Sequence, residues 1–147
     1  ENPSTYFRFA ESTIPEVEFL ADVARTTGCG LLLDVANVDV SATNHGFDPR
    51  AYLAAFPIER IGEIHLAGRF ETIDDAGLPF FIDAHDSPVA DPVWALYAET
   101  VARIGPVATL IERDDAIPEW TVLAAEVARA QAILDAATSS GGRSHAA

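Results

Sequence analysis

Four short apolar runs punctuate the chain, and each ends on a residue able to bind a metal or move a proton. They are Leu31-Leu32-Leu33 before Asp34, Ile61-Gly62-Glu63-Ile64 before His65, Phe80-Phe81-Ile82 before Asp83, and Thr109-Leu110-Ile111 before Glu112. Runs of this length without alternation are the pattern of strands buried on both faces. Helical patterns lie between most of them. Ile14, Val17, Leu20, Val23 and Ala24 recur at helical spacing from Ile14 to Thr27. Thr13-Ile14-Pro15-Glu16 reads as a capping box with proline in the first turn, and Gly28 stands where a C-cap belongs. Asp48-Pro49 opens a short helix reaching about Phe56. Asp91-Pro92 opens another, through Trp94, Leu96, Tyr97 and Val101 to Gly105. Pro118-Glu119 opens the last, carrying Leu123, Val127, Ala130, Ile133 and Leu134. Asp48 and Asp91 are read as N-caps before proline.

Strands alternating with helices predict an α/β fold of parallel (β/α) units with the helices outside. Asp34 to His65 and Asp83 to Glu112 are steps of about 30 residues, one unit each. His65 to Asp83 is only 18 residues, and its connector, Arg69 to Pro79, has no helical stripe. An irregular loop is expected there. The expected organisation is one partial barrel domain over residues 1–137, followed by a Ser/Gly-rich disordered tail over 138–147. No sequence repeat is found beyond the βα rhythm.

Composition narrows the function. The formal charge is −14, from 9 Lys+Arg against 23 Asp+Glu. Nucleic acid is thereby disfavoured, because phosphate contacts need clustered basic residues. No apolar run approaches the roughly 18–20 residues of a membrane span, and no secretory signal is present. The single cysteine, Cys29, excludes a disulfide framework and cysteine-rich zinc sites, and it fits a reducing cytoplasm. The chain has no methionine and opens on Glu1 within a motif already under way, so it is read as a piece of a longer protein.

In parallel α/β folds the active site lies at the carboxyl ends of the strands. Asp83-x-His85 and Glu112-x-Asp114 place a second polar group two residues on, where strand alternation returns it to the same face. Asn37 and Asn44-His45 follow Asp34 in what is read as its loop. Plainer readings exist for each residue taken singly. One Asp after a strand is usually a cap. His65 could be a satisfied core histidine, and Arg113 could pair with a nearby carboxylate. Trp94, Trp120, Tyr97 and Phe19 read as packing, and His145 lies in the tail. Four consecutive strands ending in metal-ligand types outweigh the capping reading. Carboxylate and imidazole without thiolate suit Fe, Mn or Zn better than copper(I).

The motifs Glu1-Asn2-Pro3-Ser4, Asp34-Val35-Ala36-Asn37, Asn44-His45-Gly46-Phe47-Asp48, His65-Leu66-Ala67-Gly68, Asp83-Ala84-His85 and Glu112-Arg113-Asp114, in this order, resemble the multinuclear non-heme iron-dependent oxidative enzymes. That family includes the oxidase subunit of methanobactin biosynthesis. The resemblance runs from Glu1 to about Ala130. It implies a TIM barrel holding two or three irons at its carboxyl face, with O2 as co-substrate. It implies oxidation of cysteines in a ribosomally made precursor peptide, commonly with a partner protein that binds the peptide's leader. By position, Glu1, Asp34, His65, Asp83, His85 and Glu112 fall on metal-binding positions, and Asn37 on one that can ligate an iron. Asn2, Asn44 and Asp114 would orient ligands from behind.

Two departures stand out. The family usually has Asp-Val-Asn-Asn where this chain has Ala36. Its barrel also needs roughly 250 residues, so 147 residues read as the carboxyl-terminal half, beginning as the fourth strand ends. Such a half leaves a sheet edge and an apolar face unpaired, and self-association or dependence on the missing half is expected. Two rival readings remain: another divalent-metal TIM-barrel enzyme, isomerase or hydrolase, and a non-catalytic interaction fragment.

Overall fold

Strand β1 (Leu31–Asp34) pairs in parallel with β2 (Ile61–Ala67), and β2 with β5 (Thr109–Glu112), giving a three-stranded sheet in the order β1-β2-β5. The computed structural model from which these elements are taken describes residues 1–141. The mixed α/β fold with helices packed on a parallel sheet is that of half a TIM-type barrel. Helices α1 (Glu16–Thr27), α2 (Val35–His45), α3 (Pro49–Ala55), α4 (Asp91–Ile104) and α5 (Trp120–Gly141) complete it. The core lies between sheet and helices. Leu33, Ile64 and Leu66 face Val93, Tyr97 and Val101 of α4, all fully buried. Within β2, Ile64 and Leu66 turn toward the helices while Glu63 and His65 turn to the opposite face. β1 and β5 are the outer strands, and Leu110 of β5 is exposed.

The run Phe80-Phe81-Ile82 is not a fourth parallel strand. It forms β4 (Pro79–Ile82), which pairs antiparallel with β3 (Phe70–Ile73) in a separate hairpin. The expected irregular loop at 69–79 is therefore half strand and half turn. The short step from His65 holds no crossover helix, so a hairpin is the pairing that remains. Its turn is built by Asp74, whose carboxylate accepts the N–H groups of Ala76 and Leu78, and by Gly77 at φ +80°. The apolar run is explained by other partners. Phe80 packs on Tyr6, and the Arg69 guanidinium lies 4.2 Å from the centre of the Phe81 ring.

Several helix ends also differ from expectation. α1 starts at Glu16 behind Pro15 with no side-chain cap, because the Glu16 carboxylate accepts the Tyr52 hydroxyl at 2.6 Å instead of closing a box. Gly28 is the expected left-handed C-cap at φ 77°. Asp48 caps α3 as expected, accepting Arg50 N–H at 2.9 Å. Asp91 is the first residue of α4, not its cap, and its carboxylate pairs with Arg129. α5 begins at Trp120, two residues after Pro118, and runs on to Gly141 through positions expected to be disordered; 142–147, with His145, lie outside the described residues. The expected loop after Asp34 is helix α2. Trp94 and Tyr97 are buried packing residues, but Phe19 and Trp120 are 54% and 74% exposed.

Candidate metal centre

The site gathers at the carboxyl end of the sheet. Asp34 and His65 are register partners across β1 and β2, and Glu112 closes β5 opposite Ala67. Asp34 divides its two oxygens. Oδ1 caps α2 by accepting Asn37 N–H at 2.8 Å, so the capping reading holds, and it leaves the second oxygen free for another role. Oδ2 is buried without a hydrogen-bond partner among the described residues.

The amino-terminal segment is laid against this end by Asn2. Its carboxamide accepts Asp34 N–H and donates to Asp34 O, both at 2.9 Å, as a neighbouring strand would. Asn2 is 1% exposed, and its pairing brings Glu1 beside the cluster. The ligand atoms of Glu1, Asp34 and His65 lie within 4.8 Å of one another, and those of Asp34, His85 and Glu112 do likewise. Asp34 belongs to both groups. Asn37 reaches Glu1 Oε1 at 3.4 Å, while its own Oδ1 is left unpartnered.

Asp83 and His85 arrive by a different route. β4 ends at Ile82, so strand alternation does not orient them. His85 instead takes a left-handed backbone, φ 51°. Its N–H donates to Gly68 O at 3.1 Å, and its carbonyl accepts Asp114 N–H at 3.0 Å. The ring then meets Asp83 Oδ1 through Nε2 at 2.7 Å, and Glu112 Oε2 and Asp114 Oδ2 through Nδ1 at 3.7 and 3.2 Å. Gly68 is required for this approach, because a Cβ there would run into the Ser87 carbonyl. His65 Nδ1 lies 3.2 Å from Glu112 Oε1. That nitrogen is buried, and the contact lacks hydrogen-bond geometry.

The electrostatics are those of crowded carboxylates. Burial, reinforced by Asp83, Glu1 and Glu112, pushes Asp34 up to about 7 against the Asn37 hydrogen bond. Burial disfavours the His85 imidazolium, but Asp83, Glu112, Asp114 and Asp34 outweigh it and raise its pKa. Among the described residues no arginine is paired with the cluster: Arg69 pairs with Asp39 and Glu71, and Arg113 with Glu126 as its sequence position allowed. Asp34 Oδ2 is buried without a partner among the described residues, while His65 Nδ1, Asp83 Oδ1 and His85 Nε2 are buried in ion-pair contacts that lack hydrogen-bond geometry. Such orphaned atoms are costly unless something else satisfies them. Oxygen and imidazole donors grouped this way fit a divalent first-row metal.

Some residues at the site were not singled out from sequence. Tyr6 OH contacts Ser4 Oγ and accepts Asp83 N–H, each at 3.2 Å, and Ser4 Oγ donates to Asp83 Oδ2. Glu63 Oε1 stands 3.6 Å from His65 Nε2. The Glu63-x-His65 spacing repeats that of Asp83-x-His85 and could have drawn attention to it.

Residues 1–135 match the family model described as RiPP precursor modification enzyme MbnB/TglH/ChrH, where RiPP denotes a ribosomally made, post-translationally modified peptide. A UPF0276 protein of Paraburkholderia phytofirmans is 56% identical over 133 residues, covering 90% of this chain and 43% of that protein. One of Rhizobium meliloti is 53% identical over 135 residues, with 92% and 44% covered. One of Bordetella parapertussis is 56% identical over 134 residues, with 91% and 46% covered. The chain thus spans somewhat less than half the length of these curated relatives. With the match running from the first residue through β5 and into α5, the chain belongs to the MbnB/TglH/ChrH family of RiPP precursor modification enzymes.

Proposed function

We propose that this chain contributes the carboxyl-terminal half of an iron- and O2-dependent enzyme that oxidises cysteine residues of a ribosomally made precursor peptide. The observation that carries the reading is the pair of ligand groups sharing Asp34, whose Oδ2 is buried without a partner among the described residues. Glu1, Asp34, Asn37, His65, Asp83, His85 and Glu112 would hold the metal. Bound iron supplies affinity for a cysteine thiolate and one-electron chemistry toward dioxygen. Asp34 joins the two groups, and its raised pKa means that metal loading displaces a proton from it near neutral pH. Ser4 would fix the Asp83 carboxylate and Tyr6 its backbone N–H, and the Gly68 carbonyl would fix the His85 backbone. A partner protein binding the peptide's leader, and a cytoplasmic setting, belong to the same reading.

The test is iron content and oxygen uptake in protein purified anaerobically with Fe(II), with a cysteine-bearing peptide supplied. The parent is expected to hold iron and take up oxygen, and the Asp83→Ala/His85→Ala double variant to do neither. Zinc or manganese bound in preference to iron, with no oxygen uptake, would favour a metal-dependent hydrolase or isomerase. A folded chain that binds no metal would favour a non-catalytic interaction role.

A further inference from the structure

α2 is an unusual helix for its place in the fold. Residues Val35 to Ala42 are all buried, yet Asn37, Asp39 and Ser41 stand among them. Buried polar side chains need partners: Asp39 pairs with Arg69, and the partners of the others share one address. Asn37, Ser41, Asn44 and His45 fall at i, i+4, i+7 and i+8, one face of the helix. Asn37 donates to Asn2 O at 3.1 Å, and Ser41 Oγ accepts Thr5 N–H at 2.9 Å. His45 Nε2 meets Thr5 Oγ1 at 2.9 Å, and Asn44 donates to Thr5 O at 3.2 Å. The face is a ladder for the segment that begins at Glu1.

Asn44 has a second grip. Its Oδ1 accepts Phe81 N–H at 2.8 Å and its Nδ2 donates to Phe81 O at 2.9 Å. The carboxamide therefore occupies the outer edge of β4 as a neighbouring strand would. Thr5 lies between Ser4 and Tyr6, the two residues that touch Asp83, and Phe81 lies two residues before Asp83. One side chain thus sets both halves of the contact between Ser4, Tyr6 and Asp83.

We propose that Asn44 is a positioning residue for the metal centre: it locks the segment carrying Glu1 to the hairpin carrying Asp83. The inference rests on the metal-centre reading. The hairpin keeps other anchors when Asn44 is lost, including the Arg69–Asp39 ion pair at 2.8 Å and the Arg69 guanidinium over Phe81. Asn44→Ala therefore lets two docked parts slip relative to each other and does not detach either one.

The probe is Co(II), titrated anaerobically into the parent, Asn44→Ala and Asn44→Asp, and followed by ligand-field absorption. Arg103→Gln is the control. It removes side-chain hydrogen bonds to Leu53 O and Ala54 O, remote from the site. Expected is Co(II) affinity weakened about tenfold or more, with a changed absorption spectrum, in both Asn44 variants, as for loss of groups that orient ligands. Arg103→Gln keeps the parent spectrum whatever its melting temperature. Hydrogen exchange on the metal-free proteins is the second readout, with the Phe81 amide exchanging faster in Asn44→Ala, which loses the acceptor of that N–H; Asn44→Asp keeps an acceptor and loses the bonds to Thr5 O and Phe81 O. Asn44 variants with the parent's affinity and spectrum would overturn the proposal, as would an unchanged Phe81 amide in Asn44→Ala. A parent that binds no Co(II) would count against the metal-centre reading itself, and the exchange data would still decide whether Asn44 couples the two segments.

Discussion

The two sides of the candidate metal centre are built in opposite ways. Asp34, His65 and Glu112 are delivered by the parallel sheet, whose register places them without help from loops. Asp83 and His85 are delivered by a hairpin outside that sheet and by one left-handed residue. The sheet side rests on a core of fully buried Leu33, Ile64 and Leu66. The hairpin side rests on specific polar clasps: Asn44 on Phe81, Arg69 on Asp39, Gly68 on His85. A centre made this way has one rigid wall and one adjustable wall. Substitutions on the hairpin side should change the metal site more than they change the fold.

The most damaging single change to the site is at the junction of the two walls. Asp34→Asn keeps an oxygen to cap α2 but removes the charge common to both ligand groups. Bound metal, read by mass spectrometry, should fall to under about a tenth of the parent. Next is Arg69→Met, which leaves Asp39 buried beside Glu71 with no cation. Breaking a buried pair costs about 3–5 kcal/mol, to be read in urea denaturation, with the amides of 80–83 losing hydrogen-exchange protection before those of β1 and β2. Gly68→Ala should cost about 1–3 kcal/mol through the clash with the Ser87 carbonyl. It should weaken metal binding through His85 while sparing the core.

The smallest effect sharpens the electrostatic side of the contrast. Asp34 is pushed up to about 7 in the fold, well above the ordinary carboxylate range. A carboxyl whose folded pKa is raised contributes stability in full below its unfolded value and loses it as the pH rises through the folded one. Metal-free protein should therefore melt at a lower temperature at pH 8 than at pH 6. The raised His85 pKa acts in the same direction. Asp34→Asn should flatten the slope, which melting curves across this range would show.

What was legible in the sequence follows the same division. The strands carrying Asp34, His65 and Glu112 stand out as apolar runs and bring these candidate ligands with them, although β2 runs two residues past His65 to Ala67. The run before Asp83 looked the same but belongs to a hairpin. A periodicity argument does not distinguish burial in a parallel sheet from packing against Tyr6 and Arg69. Asp83-x-His85 was paired for the wrong reason: the two converge because His85 turns left-handed, not because a strand alternates. α2 was read as a loop since Asn37, Ser41, Asn44 and His45 break any apolar stripe. Those polar residues are the helix's working face, and their partners lie about 35 to 40 residues away in sequence, beyond local patterning.

The central claim is that one carboxylate, Asp34, joins two metal-binding groups. It is tested most directly by counting metal per chain in the parent and in Asp34→Asn, both purified anaerobically with Fe(II) supplied and both shown by circular dichroism to be folded. The account predicts iron in the parent and its near-complete loss in the variant. A folded Asp34→Asn protein that keeps the parent's iron would contradict it.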